Sequence, residues 1–305
     1  MFVEVLTQII ILMILILVGF TLGKIKILCE RSVSVITEII LWVVTPCVII
    51  KSFVRKFDWA QLKSFLIIVV ATLAMHLVYI LISRLCFRKG KVETLRVLQA
   101  GAIFSNCGYM ALPLQQSILG DDGVFYCSAF VAIFNLITWS YGIYLMSGDK
   151  KYISAKKLVL NPGMIGITIG LIIFLLSIPV HKVIYEPVAH FAALNTPLPM
   201  LVIGYYLSKS DVSQVVKNYK AWVSMALRLI VFPLLTIGGL WAAGIRGSVL
   251  VSLAISSCAP IATITTMFSS KFKDDTELSA GLVSLSTILS LITMPPIITL
   301  AQMIS

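Results

Sequence analysis

Residues 101–118 read GAIFSNCGYMALPLQQSI, an apolar run interrupted by an amide at Asn106, a helix-weakening glycine at Gly108 and a helix-breaking proline at Pro113. Such a stretch frees backbone N–H and C=O groups in mid-run. In hydrocarbon each freed group needs a protein or water partner, so broken backbone is tolerated only where it is buried in protein or lines a cavity. Solute sites in secondary carriers are commonly built this way.

A second copy lies 151 residues on, where Ser105-Asn106-Cys107-Gly108 corresponds to Ser256-Ser257-Cys258-Ala259, followed by Pro260. The same offset carries Thr45-Pro46 onto Thr196-Pro197. Two short matches at one offset, near half the chain length, read as a tandem duplication.

Composition sets the solvent. A mean hydropathy of +1.02, with 59% hydrophobic and 12% charged residues, places the chain among polytopic membrane proteins. The net charge of +11 is then a topology signal at helix ends, and nucleic-acid binding is not expected. The N-terminal run has no basic residue before it and no small-residue cleavage pattern, so it reads as a first span and not as a cleaved signal peptide. The cysteines at 29, 47, 86, 107, 127 and 258 form no CxxC pair and read as small hydrophobes, with no disulfide framework, metal site or cofactor implied.

Ten apolar segments follow, near 5–23, 33–53, 62–86, 94–117, 122–146, 162–178, 185–207, 220–243, 247–270 and 276–302. The expected fold class is an all-α polytopic membrane protein: one five-helix repeat over 1–146, a lysine-bearing linker over 147–161, and a second repeat over 162–305. An odd number of spans per repeat makes the second copy inverted. With the N-terminus outside, 17 basic residues fall in cytoplasmic loops or helix ends and 6 in outer ones, which predicts a multi-pass protein of the cell membrane with both termini extracytoplasmic. The exception is the second loop, with Lys51, Arg55, Lys56 and Lys63 on the nominal outside; of these Lys51 and Arg55 read as snorkelling or as part of an anion path.

Segments four and nine then run antiparallel and can cross near the midplane. Asn106, Gly108 and Pro113 would face Ser257, Pro260, Thr263 and Thr265, with half-helix N-termini offering N–H groups to an anion.

At these residues the sequence resembles the auxin efflux carrier family, within the larger group that includes bile acid symporters and sodium/proton antiporters. The marks are Thr45-Pro46-Cys47, Asn106-Cys107-Gly108 with Leu112-Pro113-Leu114, Asn161-Pro162, Leu229–Leu234 around Pro233, Ala259-Pro260, and Ser286-Thr287 through Pro295. The resemblance implies ten helices in two inverted repeats and a transport domain with crossed, broken helices four and nine. It also implies small organic anions as cargo (auxin-like carboxylates or dicarboxylates such as malonate and malate) and a homodimer through scaffold helices. Segment nine departs from the family pattern, since Ala259-Pro260-Ile261-Ala262-Thr263 stands where many relatives place a Met-Pro pair and a downstream asparagine. Hydroxyls would there replace an amide.

The substrate-binding candidates are therefore Asn106, Cys107, Gly108, Pro113, Ser257, Pro260, Thr263 and, in segment five, Asn135, which reads either as cavity lining or as interhelical glue with Thr138 and Ser140. Glu38 is the proton-coupling candidate or an inner-interface residue. Arg228 reads as snorkelling toward the cytoplasm, the alternatives being a partner for Glu38 or for a carboxylate. His76 reads as helix packing, and Asp121 and Asp122 as caps of segment five. The hydroxyl run Ser256, Ser257, Thr263, Thr265, Thr266 and Ser269, with Thr287 and Ser290, could serve sodium or simply pack helices. No HExxH, His-Cys cluster or Ser/His/Asp pattern suggests an enzyme. The reading is a secondary active carrier of organic anions in the efflux direction, the alternative being a sodium-coupled organic anion symporter.

Overall fold

The computed structural model describes residues 2–154, 156 and 160–305. The expected linker lysine Lys157 lies outside the described residues. The architecture is all-helical: α1 (Phe2–Lys24), α2 (Glu30–Phe53), α3 (Trp59–Cys86), α4 (Val92–Ile103), α5 (107–119), α6 (121–147), α7 (Pro162–Leu175), α8 (Lys182–Ala193), α9 (Pro197–Lys209), α10 (Tyr219–Ala242), α11 (Gly247–Cys258), α12 (Ile264–Phe272) and α13 (Thr276–Met303).

Among the described residues seven continuous helical runs are long and apolar enough to cross a membrane, fewer than the ten segments expected. The reasons are local. Segments four and nine are each split at a break, and α7 has 14 residues, or roughly 21 Å at the helical rise. The helices α5 and α6 run on as one 41-residue stretch through Gly120. Gly120 reverses that stretch with φ 63° and ψ −149°, a conformation that only glycine adopts without strain.

Prolines shape the helices in a repeated way. The N–H groups of Thr45, Leu112 and Phe232 reach back five residues to Ile40, Cys107 and Leu227, and in each case the next residue is a proline, Pro46, Pro113 or Pro233. A proline cannot donate to the carbonyl four residues back and its ring crowds that carbonyl; a widened turn relieves both effects. Pro113 therefore does not break its helix, as expected from sequence, but sits within it, and the break lies upstream at Phe104–Asn106.

The core centres on α11, whose residues Val249 to Cys258 are all buried, packed against the α5–α6 stretch, α10 and α13. Large apolar side chains are exposed instead along α1 (Ile10, Ile14, Leu17), α3 (Leu66, Val70, Leu77) and α10 (Leu234, Trp241), as a lipid-facing band requires. Two helix pairs approach so closely that only glycine fits. A Cβ on Gly19 of α1 would stand 2.7 Å from the Leu201 Cα of α9, and one on Gly166 of α7 would stand 2.9 Å from the Pro46 Cα of α2. Small residues permit such contact where lipid offers no hydrophobic drive for helices to associate.

Candidate site at the crossing of two broken helices

The chain leaves helix at Phe104–Asn106 and again at Ala259–Thr263, and these two breaks lie against each other. Ser105 pairs antiparallel with Ile261. The Asn106 N–H donates to the Pro260 carbonyl at 2.7 Å, and the Ala262 N–H donates to the Phe104 carbonyl at 2.9 Å. The sequence offset had matched Asn106 to Ser257. In the structure Ser257 is still within the last turn of α11, with its hydroxyl on the Ala254 carbonyl of its own helix, 2.9 Å away.

Several groups freed by the breaks find partners inside the protein. Ile261 donates its N–H to the Ser286 hydroxyl of α13 at 3.1 Å. Gln115 of α5, fully buried, donates to the Ser256 hydroxyl at 2.8 Å and accepts from the Ser252 hydroxyl at 2.6 Å, which ties the second half of one broken helix to the first half of the other. Gln115 does not stand out in the sequence and Ser286 figures there only within the Ser286-Thr287 mark, because an amide or hydroxyl in an apolar run does not announce which backbone it serves.

Arg228 overturns its snorkelling assignment. It is 1% exposed and lies in the widened turn of α10. From there it donates to the carbonyls of Ala102 and Ile103, at 3.3 and 2.9 Å, and to that of Ser257. The guanidinium thus caps the C-terminal ends of α4 and α11 together, where orphan carbonyls and two helix dipoles concentrate negative charge. Its planar face lies over Tyr79 and Phe232, with centroid distances of 5.3 and 5.9 Å. Snorkelling fails because three carbonyls in the interior offer a better set of acceptors than the interface does.

The N-terminal ends of the second half-helices are furnished differently. At the start of α5 the Asn106 side chain is 5% exposed and its amide nitrogen has no hydrogen-bond partner among the described residues. Beside it a Cβ on Gly108 would meet nothing within 4 Å, so there is open space at this end. The first N–H groups of a helix have no carbonyl of their own helix to bond, which leaves donors at the start of α5 and of α12. Thr263, half-buried, heads α12. Cys107 and Pro113 are buried in α5, and Pro260 is buried in the break.

The remaining candidates lie around this centre or away from it. Asn135 of α6 is half-buried, and its amide nitrogen would stand 3.2 Å from a Cβ on Gly163 at the head of α7; its neighbour Phe134 packs edge-on against Phe104. Glu38 stands exposed on α2, and among the described residues no ion pair joins it to Arg228. His76 is buried against Tyr79, Phe130 and Phe134 with a ring nitrogen 2.8 Å from the Thr72 carbonyl of its own helix. Asp121 and Asp122 do not serve as the expected caps: Asp121 pairs with Lys51 at 3.2 Å and Asp122 with Arg55. Two of the four basic residues of the exceptional loop are thereby neutralised across α2 and the α5–α6 turn. The hydroxyls of Ser269, Thr287 and Ser290 bond to carbonyls of their own helices and Thr266 bonds to Ser279, so these four are engaged in helix packing, whereas the Thr265 hydroxyl is buried without a partner among the described residues.

The sequence matches the family described as membrane transport protein over residues 4–157 and 151–298. It is 23% identical over 290 residues to an uncharacterised transporter of Methanothermobacter thermautotrophicus, covering 93% of this chain and 94% of that protein. It is likewise 23% identical over 298 residues to an uncharacterised transporter of Methanocaldococcus jannaschii, with 93% and 94% covered. The match runs along almost the whole length, so the chain belongs to the membrane transport protein family, that of the auxin efflux carriers, and is a membrane transporter.

Proposed function

We propose that this transporter is a secondary carrier of small organic anions, moving carboxylates or dicarboxylates outward by alternating access around the crossing of α4–α5 with α11–α12. The observation that carries this reading is the unpartnered Asn106 amide at the head of α5, beside the space at Gly108. A buried donor without a partner costs about 1–3 kcal/mol, a cost that a bound carboxylate would remove. The helix N-terminus behind it favours negative charge. Two inverted repeats of five spans fit the packing: Gly170 stands 151 residues after Gly19, and both are glycines buried against the helix of the other half, Gly19 on Leu201 and Gly170 on Phe53. In that arrangement both termini share one side of the membrane, and the excess of basic residues in the loops of the other side favours the extracytoplasmic one.

Arg228 favours a sodium-independent cycle over the sodium-coupled alternative. The carbonyl ends of α4 and α11, where a cation would be drawn, already hold a guanidinium. The test is transport current from purified protein in liposomes on rapid jumps of indole-3-acetate, malonate and malate, with and without sodium, at two pH values. The expected result is a saturable current without sodium that Asn106→Ala removes. Currents only on sodium jumps, or an Asn106→Ala protein with wild-type currents, overturn it.

A further inference from the structure

A cleft of about 380 Å³ lies away from the crossing, between the last turn of α3, the first two turns of α4 and the end of α6. Because three helices end there, it sits at the depth where spans leave the bilayer. The polar side chains within it are those of Arg84, Arg96, Gln99 and Tyr141, with the exposed Tyr144 at its edge. Two of these are already engaged. Arg96 donates to the Met146 carbonyl at 3.2 Å and pairs with Asp274 at 3.4 Å, while Gln99 donates to the Phe87 carbonyl at 3.0 Å.

The other two are not. Among the described residues the buried Tyr141 hydroxyl has no hydrogen-bond partner and Arg84 forms no ion pair. The segment around the cleft is strongly basic, with Arg84, Arg88, Lys89, Lys91 and Arg96 against Glu93 alone. The rest of the lining is apolar and continuous with the bilayer-facing surface: Val92 is 54% exposed and the adjacent Leu85 50%. A positive pocket with two free donors, open sideways to hydrocarbon, matches a phosphate carrying acyl chains better than it matches a soluble anion, which has no use for the apolar rim.

The geometry points to a binding site for the phosphate of an anionic phospholipid headgroup, held by Arg84 and the Tyr141 hydroxyl with Arg96 behind them, the acyl chains lying along Leu85 and Val92. The site is independent of the anion path at the crossing, so it stands or falls without reference to transport.

Native mass spectrometry of the full-length protein decides it, with phosphatidylglycerol and phosphatidylcholine of identical chains offered in competition. Wild type is expected to retain one phosphatidylglycerol per chain in preference to phosphatidylcholine. Arg84→Gln with Tyr141→Phe should reduce that preference about five-fold, and Arg84→Lys should keep most of it. Equal retention of the two lipids by wild type overturns the proposal, as does an undiminished preference in a monodisperse Arg84→Gln/Tyr141→Phe protein. Should that double variant not fold, Arg84→Gln alone decides: a preference reduced towards parity with phosphatidylcholine is expected, and an undiminished one overturns the proposal. Glycerol 3-phosphate, lacking chains, is the third arm: binding as tight as that of phosphatidylglycerol would mean a soluble-anion pocket and overturn the lipid assignment.

Discussion

The backbone N–H of Asn106 donates to the carbonyl of Pro260 at 2.7 Å, so main chain, and not the asparagine side chain, holds the two broken helices together. The side-chain amide nitrogen is left buried and unbonded. Structure and function can therefore be separated at one residue. Asn106→Ala keeps the crossing and deletes an orphan donor, so its ligand-free melting temperature should equal or exceed that of wild type. The stabilisation that an organic anion confers on wild type should vanish, and transport should fall at least about ten-fold, as loss of one hydrogen bond to a charged ligand implies. Thermal shift with and without malonate, beside liposome currents, checks both halves. Retained ligand stabilisation would remove Asn106 from the site.

Arg228 offers the opposite case, a side chain whose loss should be structural first. Its guanidinium bonds to carbonyls of Ala102, Ile103 and Ser257, on two helices that touch at their breaks. Arg228→Gln cannot span them and leaves buried acceptors unpaired, at a cost of about 2–5 kcal/mol. Arg228→Lys should recover only part of this, because an ammonium lacks the planar fork that reaches both ends at once. Unfolding of purified protein in mild detergent reads the loss. Wild-type stability in Arg228→Gln would mean that water serves these carbonyls equally well.

These two residues also mark how far the sequence could be read. The break itself was legible, because Asn106, Gly108 and Pro260 are residue types that end helices in an apolar run. Its register was not. The best repeat offset matched Asn106 to Ser257, whereas the backbone pairs Ser105 with Ile261, since strand-like pairing follows carbonyl positions that no side-chain pattern records. Pro113 misled for a related reason: a widened turn absorbs a proline that would break a regular helix. Arg228 misled because snorkelling is judged by distance to the interface, and the carbonyls it caps come from helices 125 and 29 residues away in sequence. The ion pairs of Asp121 and Asp122 were hidden in the same way, their partners Lys51 and Arg55 being 70 and 67 residues distant.

Helix packing through glycine gives a third prediction. A side chain on Gly19 would press on the Leu201 backbone, with Cβ 2.7 Å from Cα and 2.9 Å from the carbonyl carbon, and backbone cannot rotate aside. Gly19→Val should therefore destabilise by about 2–3 kcal/mol by forcing α1 from α9. Gly239→Ala, on an exposed face of α10 where an added Cβ meets nothing within 4 Å, should stay within about 0.5 kcal/mol of wild type. Unfolding curves for the pair give the contrast, and similar values for both would mean that the α1–α9 contact is loose in the membrane.

Asp274 makes stability depend on pH in a direction that can be fixed in advance. It lies in the turn between α12 and α13, where burial pushes its carboxyl up to about 6 against the pull of the Arg96 guanidinium 3.4 Å away; Glu93 adds a smaller upward push. A carboxyl whose folded value is raised binds its proton more tightly in the folded state than in the unfolded chain. Its contribution to stability is thus complete below the ordinary value of 3.8 and is lost as pH rises through about 6. Wild type should gain melting temperature between pH 7.5 and pH 5 relative to Asp274→Asn, which has no proton to bind and whose pH profile should be flatter over that interval. The readout is the difference between the two profiles, so other titrating groups cancel. A wild-type protein that loses stability on acidification relative to Asp274→Asn would show that the Arg96 ion pair outweighs burial at this carboxyl.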